Sequence, residues 1–351
     1  MSSIPRARRA VGHTADFDAH AAFAAILRQD FGTFIHKTFL TVSPDRAYHP
    51  NWHIDAIAYK LRCVHAGEAK RLLIAQPPRS LKSITTSVAF VAWSIGRDPS
   101  KRFVCTSYSA ELAGTLARQF RLLVTSEWYR RIFPNVIWSK ESEFEFVTTK
   151  GGGRLAVSTG GSITGRGADV IVIDDPLKAD EAQSEVARRA VNEWFTTTLL
   201  TRLDDKRRGA IILVVQRLHE DDLAGKVLRE GGWASLVLPA IAEQDEAIQI
   251  GLQTFYHRKF GDLLHPARES LADLERMKRD MGTLKFSSQY QQRPIPIEGN
   301  LIKRSWIKSY DVAPSHKPGM QIVQSWDIAS TTESNELSPK LGDGRDQAAA
   351  V

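Results

Sequence analysis

Arg71-Leu72-Leu73-Ile74-Ala75-Gln76-Pro77-Pro78-Arg79-Ser80-Leu81-Lys82-Ser83 is the stretch on which the reading of this chain turns. Residues 72–75 form a short apolar run, the pattern of a strand buried on both faces of a parallel sheet, and the run 84–93 after the polar turn reads as a helix. A turn that leaves the carboxyl end of a buried strand and enters a helix is where α/β proteins hold phosphate, because loop N–H groups and the helix N-terminus converge there. Lys82 would pair with the β- and γ-phosphates of a nucleotide, Ser83 would ligate Mg²⁺, and Pro78, Arg79, Ser80 and Leu81 would supply the backbone around the phosphates. The pattern G-x-x-x-x-G-K-S/T puts glycines where this chain has Gln76 and Leu81, and a leucine is harder to place where backbone approaches phosphate.

A second segment, Val170-Ile171-Val172-Ile173-Asp174-Asp175-Pro176, is an apolar strand that delivers two carboxylates at its end. Asp174 is suited to hold Mg²⁺ through water and Asp175 to polarise an attacking water as general base. Each half has an ordinary explanation, since Lys-Ser pairs occur in solvated loops and Asp-Asp-Pro is a common strand-ending turn. The combination is more specific. Between the two lies the strand 103–107, and beyond them the strand 211–215 ends in Gln216-Arg217, placed to sense a γ-phosphate.

The alternation of short apolar runs, polar turns and helix-like segments from Arg71 onward predicts an α/β fold with a mainly parallel sheet flanked by helices. Residues 14–42 read as an N-terminal helical element. Segments 143–148 and 154–158 flank the turn 150–153 as a hairpin, 180–203 as one long helix, and 236–238 as a further strand. The region 243–300 is more polar, with a helix at 271–281 and a break at Pro294 and Pro296. A new strand, 322–326, ends in Asp327, and the tail 337–351 reads as disordered. The expected domains are therefore 1–45, helical; 46–242, the nucleotide domain; 243–300, a connector; and 301–351, the start of another domain with its tail.

Composition narrows the function classes. With 351 residues, 42% hydrophobic and 25% charged, the chain is long enough for an enzyme and too apolar for disorder. A net charge of +7 and a pI near 9.4 favour anionic partners such as nucleic acid. The two cysteines, Cys63 and Cys105, form neither a framework for disulfides nor a zinc pattern. The basic start carries no apolar h-region, and no apolar run is long enough for a bilayer, so a cytoplasmic protein is expected.

PPRSLKS (77–83), TGRGADVIVIDDP (164–176) and VVQRLHEDDLAG (214–225), in this order, resemble the nucleotide-binding loop, acidic motif and coupling motif of bacteriophage large terminase subunits. YHPNWHIDAIAYKL (48–61) resembles the segment that lies against adenine in such motors, which marks His53, Trp52 and Tyr48, with core packing the more ordinary role for Trp52. The likeness runs over roughly residues 50–335 and implies an additional-strand P-loop NTPase fold. It also implies that ATP hydrolysis, with Mg²⁺, drives double-stranded DNA into a procapsid. The partners it implies are a portal protein, a small terminase subunit and further copies of the chain in a ring. Lys82, Ser83 and Asp174 then hold phosphates and metal. Asp175 takes the catalytic carboxylate position, where related motors often carry Glu. Arg79, within the same subunit, or Arg166, toward a neighbouring one, would neutralise transition-state charge.

Motors of this kind also carry a ribonuclease-H-like nuclease domain that works through clustered carboxylates and metals. Asp327 matches the first of those metal ligands. No strand pattern follows Asn335, so an incomplete nuclease segment without independent activity is expected, as in a frameshifted or split prophage gene. His219, Asp221 and Asp222 suggest a metal cluster, but helix capping by Glu220 or Asp221 explains that stretch better. The loops at 202–208 are the guess for DNA contact. Two other readings fit the same motifs: another P-loop NTPase such as a helicase, and a decayed prophage product that binds DNA or portal without turnover.

Overall fold

The computed structural model describes residues 19–163 and 165–295. The expected strand 322–326, Asp327 and the tail lie outside them. Strands β1 (Arg71–Ala75), β2 (Arg102–Ser107), β3 (Trp138–Glu141), β4 (Glu145–Thr148), β5 (Gly153–Ser158), β6 (Val170–Asp174), β7 (Ala210–Val215) and β8 (Ala234–Val237) form one sheet in the order β3-β4-β5-β2-β6-β7-β1-β8. From β5 to β8 every pairing is parallel, whereas β3, β4 and β5 pair antiparallel as a meander. The strand β7 lies between β1 and β6, which is the additional-strand arrangement.

The central strands are continuous apolar runs because both their faces are covered. Side chains alternate across a strand with period two. Leu72, Ile74, Val170, Val172, Ile212 and Val214 accordingly enter one core, and Leu73, Ala75, Ile171, Ile173, Ile211, Leu213 and Val215 enter the other. Each such side chain contributes about 1.5–3 kcal/mol on full burial.

The first core is covered by α1 (Ala19–Gln29), α2 (Phe31–Val42), α3 (Trp52–His65), α4 (Val91–Arg97), α5 (Ala110–Thr125) and α6 (Glu127–Ile132). In α5, Ser109 caps the N-terminus by accepting from the Leu112 N–H at 3.2 Å. Its Ala113, Leu116, Ala117, Phe120, Leu123 and Val124 then recur at helical spacing and are buried. The second core is covered by α7 (Glu185–Thr197) and α8 (Leu223–Glu230). After the sheet come the two-stranded β9 (Glu246–Gln249) and β10 (Phe255–Arg258), then α9 (Leu271–Met281) and α10 (Thr283–Gln289). Leu274 and Phe286 from these helices pack with Ala240 and Tyr290 as a small third cluster.

The strands expected at 72–75, 103–107, 170–173 and 211–215, the hairpin around 150–153 and the helix 271–281 all form. Glycine is needed in that hairpin turn, because a Cβ on Gly152 would stand 2.4 Å from the Pro99 carbonyl oxygen. The long helix expected over 180–203 is shorter. Ser184 caps it late, accepting from the Ala187 N–H, and it ends in the β-branched run Thr196, Thr197 and Thr198, the first two of which bond back to carbonyls of the preceding turn. A separate 3₁₀ turn, Leu199–Arg202, follows. The connector is more regular than expected, with β9, β10 and α10 beside the predicted α9.

Candidate functional site

Two of the residues in the turn after β1 adopt backbone conformations that L residues avoid: Arg79 at φ 62° and Leu81 at φ 63°. Left-handed backbone costs a side-chain-bearing residue about 1–2 kcal/mol. Leu81 stands where the G-x-x-x-x-G-K-S/T pattern has its second glycine, and it holds a left-handed backbone that glycine adopts freely. A turn with left-handed residues turns successive N–H groups to one side and forms a concavity suited to an anion.

The chain then enters a π-helical stretch, Ile84–Phe90, that runs into α4. This places Ser83 and Ser87, four apart, on one face toward the end of β6. The Ser83 hydroxyl donates to Asp174 Oδ1 at 2.9 Å and the Ser87 hydroxyl to Oδ2 at 2.6 Å. Asp174 is 1% exposed. Burial, and then the neighbouring Asp175 carboxylate, push its pKa up to about 6, against the two serine hydroxyls and Lys82, which favour the charged form.

Asp175 is the next residue and takes φ 45°, which turns its carboxylate from the strand toward the loop. Lys82 Nζ lies 3.2 Å from Asp175 Oδ2, and the Gln216 N–H at the end of β7 donates to Oδ1 at 2.9 Å. Three neighbouring strand ends thus deliver their polar residues to one place. A cleft of about 720 Å³ opens there, lined by Pro78, Arg79, Ser80, Leu81, Lys82, Ser83, Asp175 and Gln216. That size lies within the roughly 300–1,000 Å³ of small-molecule sites.

The donors suit Mg²⁺ and a polyphosphate. Ser83 lines the cleft with a hard oxygen, whereas Asp174 does not line it and holds both its oxygens on Ser83 and Ser87; Mg²⁺ takes one or two such protein ligands, directly or through water, beside phosphate oxygens. No group of three or more His, Cys, Asp or Glu residues is placed to hold a metal among the described residues, so protein ligands alone do not make a cage.

Other expected residues fall elsewhere. His53 is 1% exposed and lies behind the loop, its Nε2 3.3 Å from the Ser80 carbonyl oxygen, and it does not line the cleft. Burial drives its pKa down to about 3, so the ring is neutral. Trp52 is buried and stacks on Tyr256 with ring centres 4.5 Å apart, while Tyr48 stacks on His36. Arg217 turns away from the cleft into a buried pair with Asp222, Nε to carboxylate 3.1 Å, because the helix that follows needs a cap at that point. Asp222, not Glu220 or Asp221, is that cap and accepts from the Gly225 N–H. Arg166 pairs with Glu145 at 2.6 Å beside a separate cavity lined by Arg102 and Gly151–Gly153 at the amino ends of β2 and β5. Arg202, Lys206, Arg207 and Arg208 lie on the turns between α7 and β7.

Ser87, Gln119, His265 and Arg268 also reach the site, although the sequence reading did not single them out. Only Ser87 had a local signal, its i+4 spacing from Ser83; the others come from distant elements.

No family model and no curated protein matches this chain. Among solved structures it is similar to the large terminase of bacteriophage HK97, at TM-score 0.44 and 14% identity, covering 75% of this chain and 55% of that one. It is also similar to the large terminase ATPase domain of Thermus phage P74-26, at TM-score 0.43 and 12% identity, covering 73% and 98%. A third similar structure is the large terminase of a thermophilic bacteriophage in complex with ADP, at TM-score 0.38 and 11% identity, covering 66% and 52%. The chain spans about half the length of the first and third of these, and in structure it resembles phage large terminases.

Proposed function

We propose that this chain is an ATPase and the motor subunit of a large terminase, coupling ATP hydrolysis to the movement of double-stranded DNA into a procapsid. The observation that carries the proposal is the convergence of Lys82, from the end of β1, on Asp175, from the end of β6, at 3.2 Å across a sheet in which β7 intervenes. Lys82 brings a positive charge to the β- and γ-phosphate oxygens, and the N–H groups of residues 79–83 surround them. Asp175 would take the proton of the attacking water as general base. Ser83, with Asp174 acting through water, would hold Mg²⁺, which draws negative charge from the phosphate oxygens. Arg79, exposed at the cleft, supplies further positive charge, and Gln216 reports on the occupant through its bond to Asp175.

The motif order and the net charge of +7 support DNA as the moved partner. A portal protein, a small terminase subunit and further copies of this chain are the partners proposed with it. The test is ATP hydrolysis with and without duplex DNA, comparing wild type with Lys82→Ala and Asp175→Ala. Hydrolysis stimulated by duplex DNA and lost in both variants is the expected result. Strand separation of the duplex would favour a helicase, and a folded chain without turnover would point to a binding protein.

A further inference from the structure

Gln76 to Ser83 contain no glycine, yet Arg79 and Leu81 hold the left-handed backbone for which glycine is the usual residue. Something other than glycine must hold that shape, and three of its carbonyls are taken by side chains, one from within the turn and two from distant segments. The Ser80 hydroxyl donates to the Pro77 carbonyl at 2.8 Å. The Arg268 guanidinium donates to the Arg79 carbonyl from a segment 189 positions away. The His53 ring, from the start of α3, reaches the Ser80 carbonyl at 3.3 Å.

The His53 contact has a defined direction. The Asn51 side-chain amide donates one hydrogen to the Leu264 carbonyl at 2.7 Å and the other to His53 Nδ1. With Nδ1 accepting, the proton of the neutral ring sits on Nε2 and is donated to Ser80. Across a trans peptide the carbonyl of one residue and the N–H of the next point opposite ways. Fixing the carbonyls of Arg79 and Ser80 therefore also fixes the direction of the Ser80 and Leu81 N–H groups, and with it the shape of the loop that a phosphate would meet.

We propose that His53 and Arg268 are positioning residues that hold this glycine-free loop in its anion-receiving shape, doing by side-chain hydrogen bonds what glycine does elsewhere by conformational freedom. The proposal rests on the reading that the cleft binds a nucleoside triphosphate, and it assigns His53 a place behind the loop instead of against a base. It also makes the segment around Leu264 and Arg268, which precedes α9, a working part of the site.

The experiment uses the full chain and two readouts, affinity for Mg·ADP and for inorganic tripolyphosphate, and hydrogen exchange of peptides covering 76–83 without ligand. Arg268→Ala and His53→Ala are expected to weaken both ligands by about tenfold and to speed exchange of the loop peptides, with the β6 and β7 peptides unchanged. Arg268→Lys and His53→Gln, which keep a donor, retain most of the affinity. Adding Leu81→Gly to either alanine variant restores binding, because glycine takes the left-handed conformation unaided. Unchanged affinity and exchange in the alanine variants would overturn the proposal, and so would a loss that Leu81→Gly does not repair. If the wild-type chain binds neither ligand, the nucleotide reading falls, and the exchange readout still decides whether the two side chains hold the loop.

Discussion

The hydroxyl of Ser83 lies 2.9 Å from a carboxylate oxygen of Asp174, although 91 positions separate them in the chain. This contact joins the end of the phosphate loop to the end of the acidic strand, and the two motifs become one site through it. Ser87 completes the arrangement from the same helical face at 2.6 Å. Ser87→Ala should therefore remove a bond that favours the ionised carboxylate and raise the Asp174 pKa further. The acid limb of the hydrolysis–pH profile is expected to move to higher pH. An unchanged limb would show that Asp174 ionisation does not govern turnover.

Lys82 and Asp175 face each other at 3.2 Å but are assigned different work. Lys82→Ala should weaken nucleotide binding and abolish hydrolysis. Asp175→Asn keeps the size of the side chain and loses the base, so it should bind Mg·ADP within about threefold of wild type while turnover falls by about a hundredfold or more. Calorimetric titration beside a turnover assay separates the two, and equal loss of binding in both variants would contradict the division.

Two buried groups give opposite pH dependences of stability. The native pKa of Asp174 is raised from 3.8 to about 6, so its contribution to folding is present below about 3.8 and lost as pH rises through 6. His53 is lowered from 6.5 to about 3, so its contribution is full above 6.5 and lost as pH falls toward 3. In thermal melts the advantage of Asp174→Asn over wild type should grow between about pH 4 and pH 7. His53→Gln should flatten the loss of stability between about pH 6.5 and pH 4. A pH-independent difference for both would mean that neither group titrates over this range.

Arg217 and Asp222 form a buried pair, with side chains 9% and 8% exposed, and Asp222 also caps α8. Removing one partner leaves the other charge buried and costs about 3–5 kcal/mol. Asp222→Ala should lower the denaturation midpoint by a corresponding amount, and Asp222→Asn, which keeps the cap, should lower it less. A change under about 1 kcal/mol in chemical denaturation would show that the pair is dispensable.

The apolar runs at 72–75, 103–107, 170–173 and 211–215 were legible as strands because burial on both faces requires an unbroken apolar sequence. Asp174 and Asp175 were legible because they stand directly after such a run, and Lys82 and Ser83 because they close the turn between one such run and the helix that follows it. The layer architecture and the polar residues delivered to one sheet edge therefore follow from local pattern alone. Strand order, and with it the meeting of Lys82 with Asp175 across β7, was decided by tertiary structure, since pairing depends on how whole faces pack. The same holds for His53, Arg217 and Arg268. Whether a side chain enters a cleft, lies behind a loop or turns to a buried partner depends on backbone direction and on neighbours distant in the chain, and no local pattern of residue types records either.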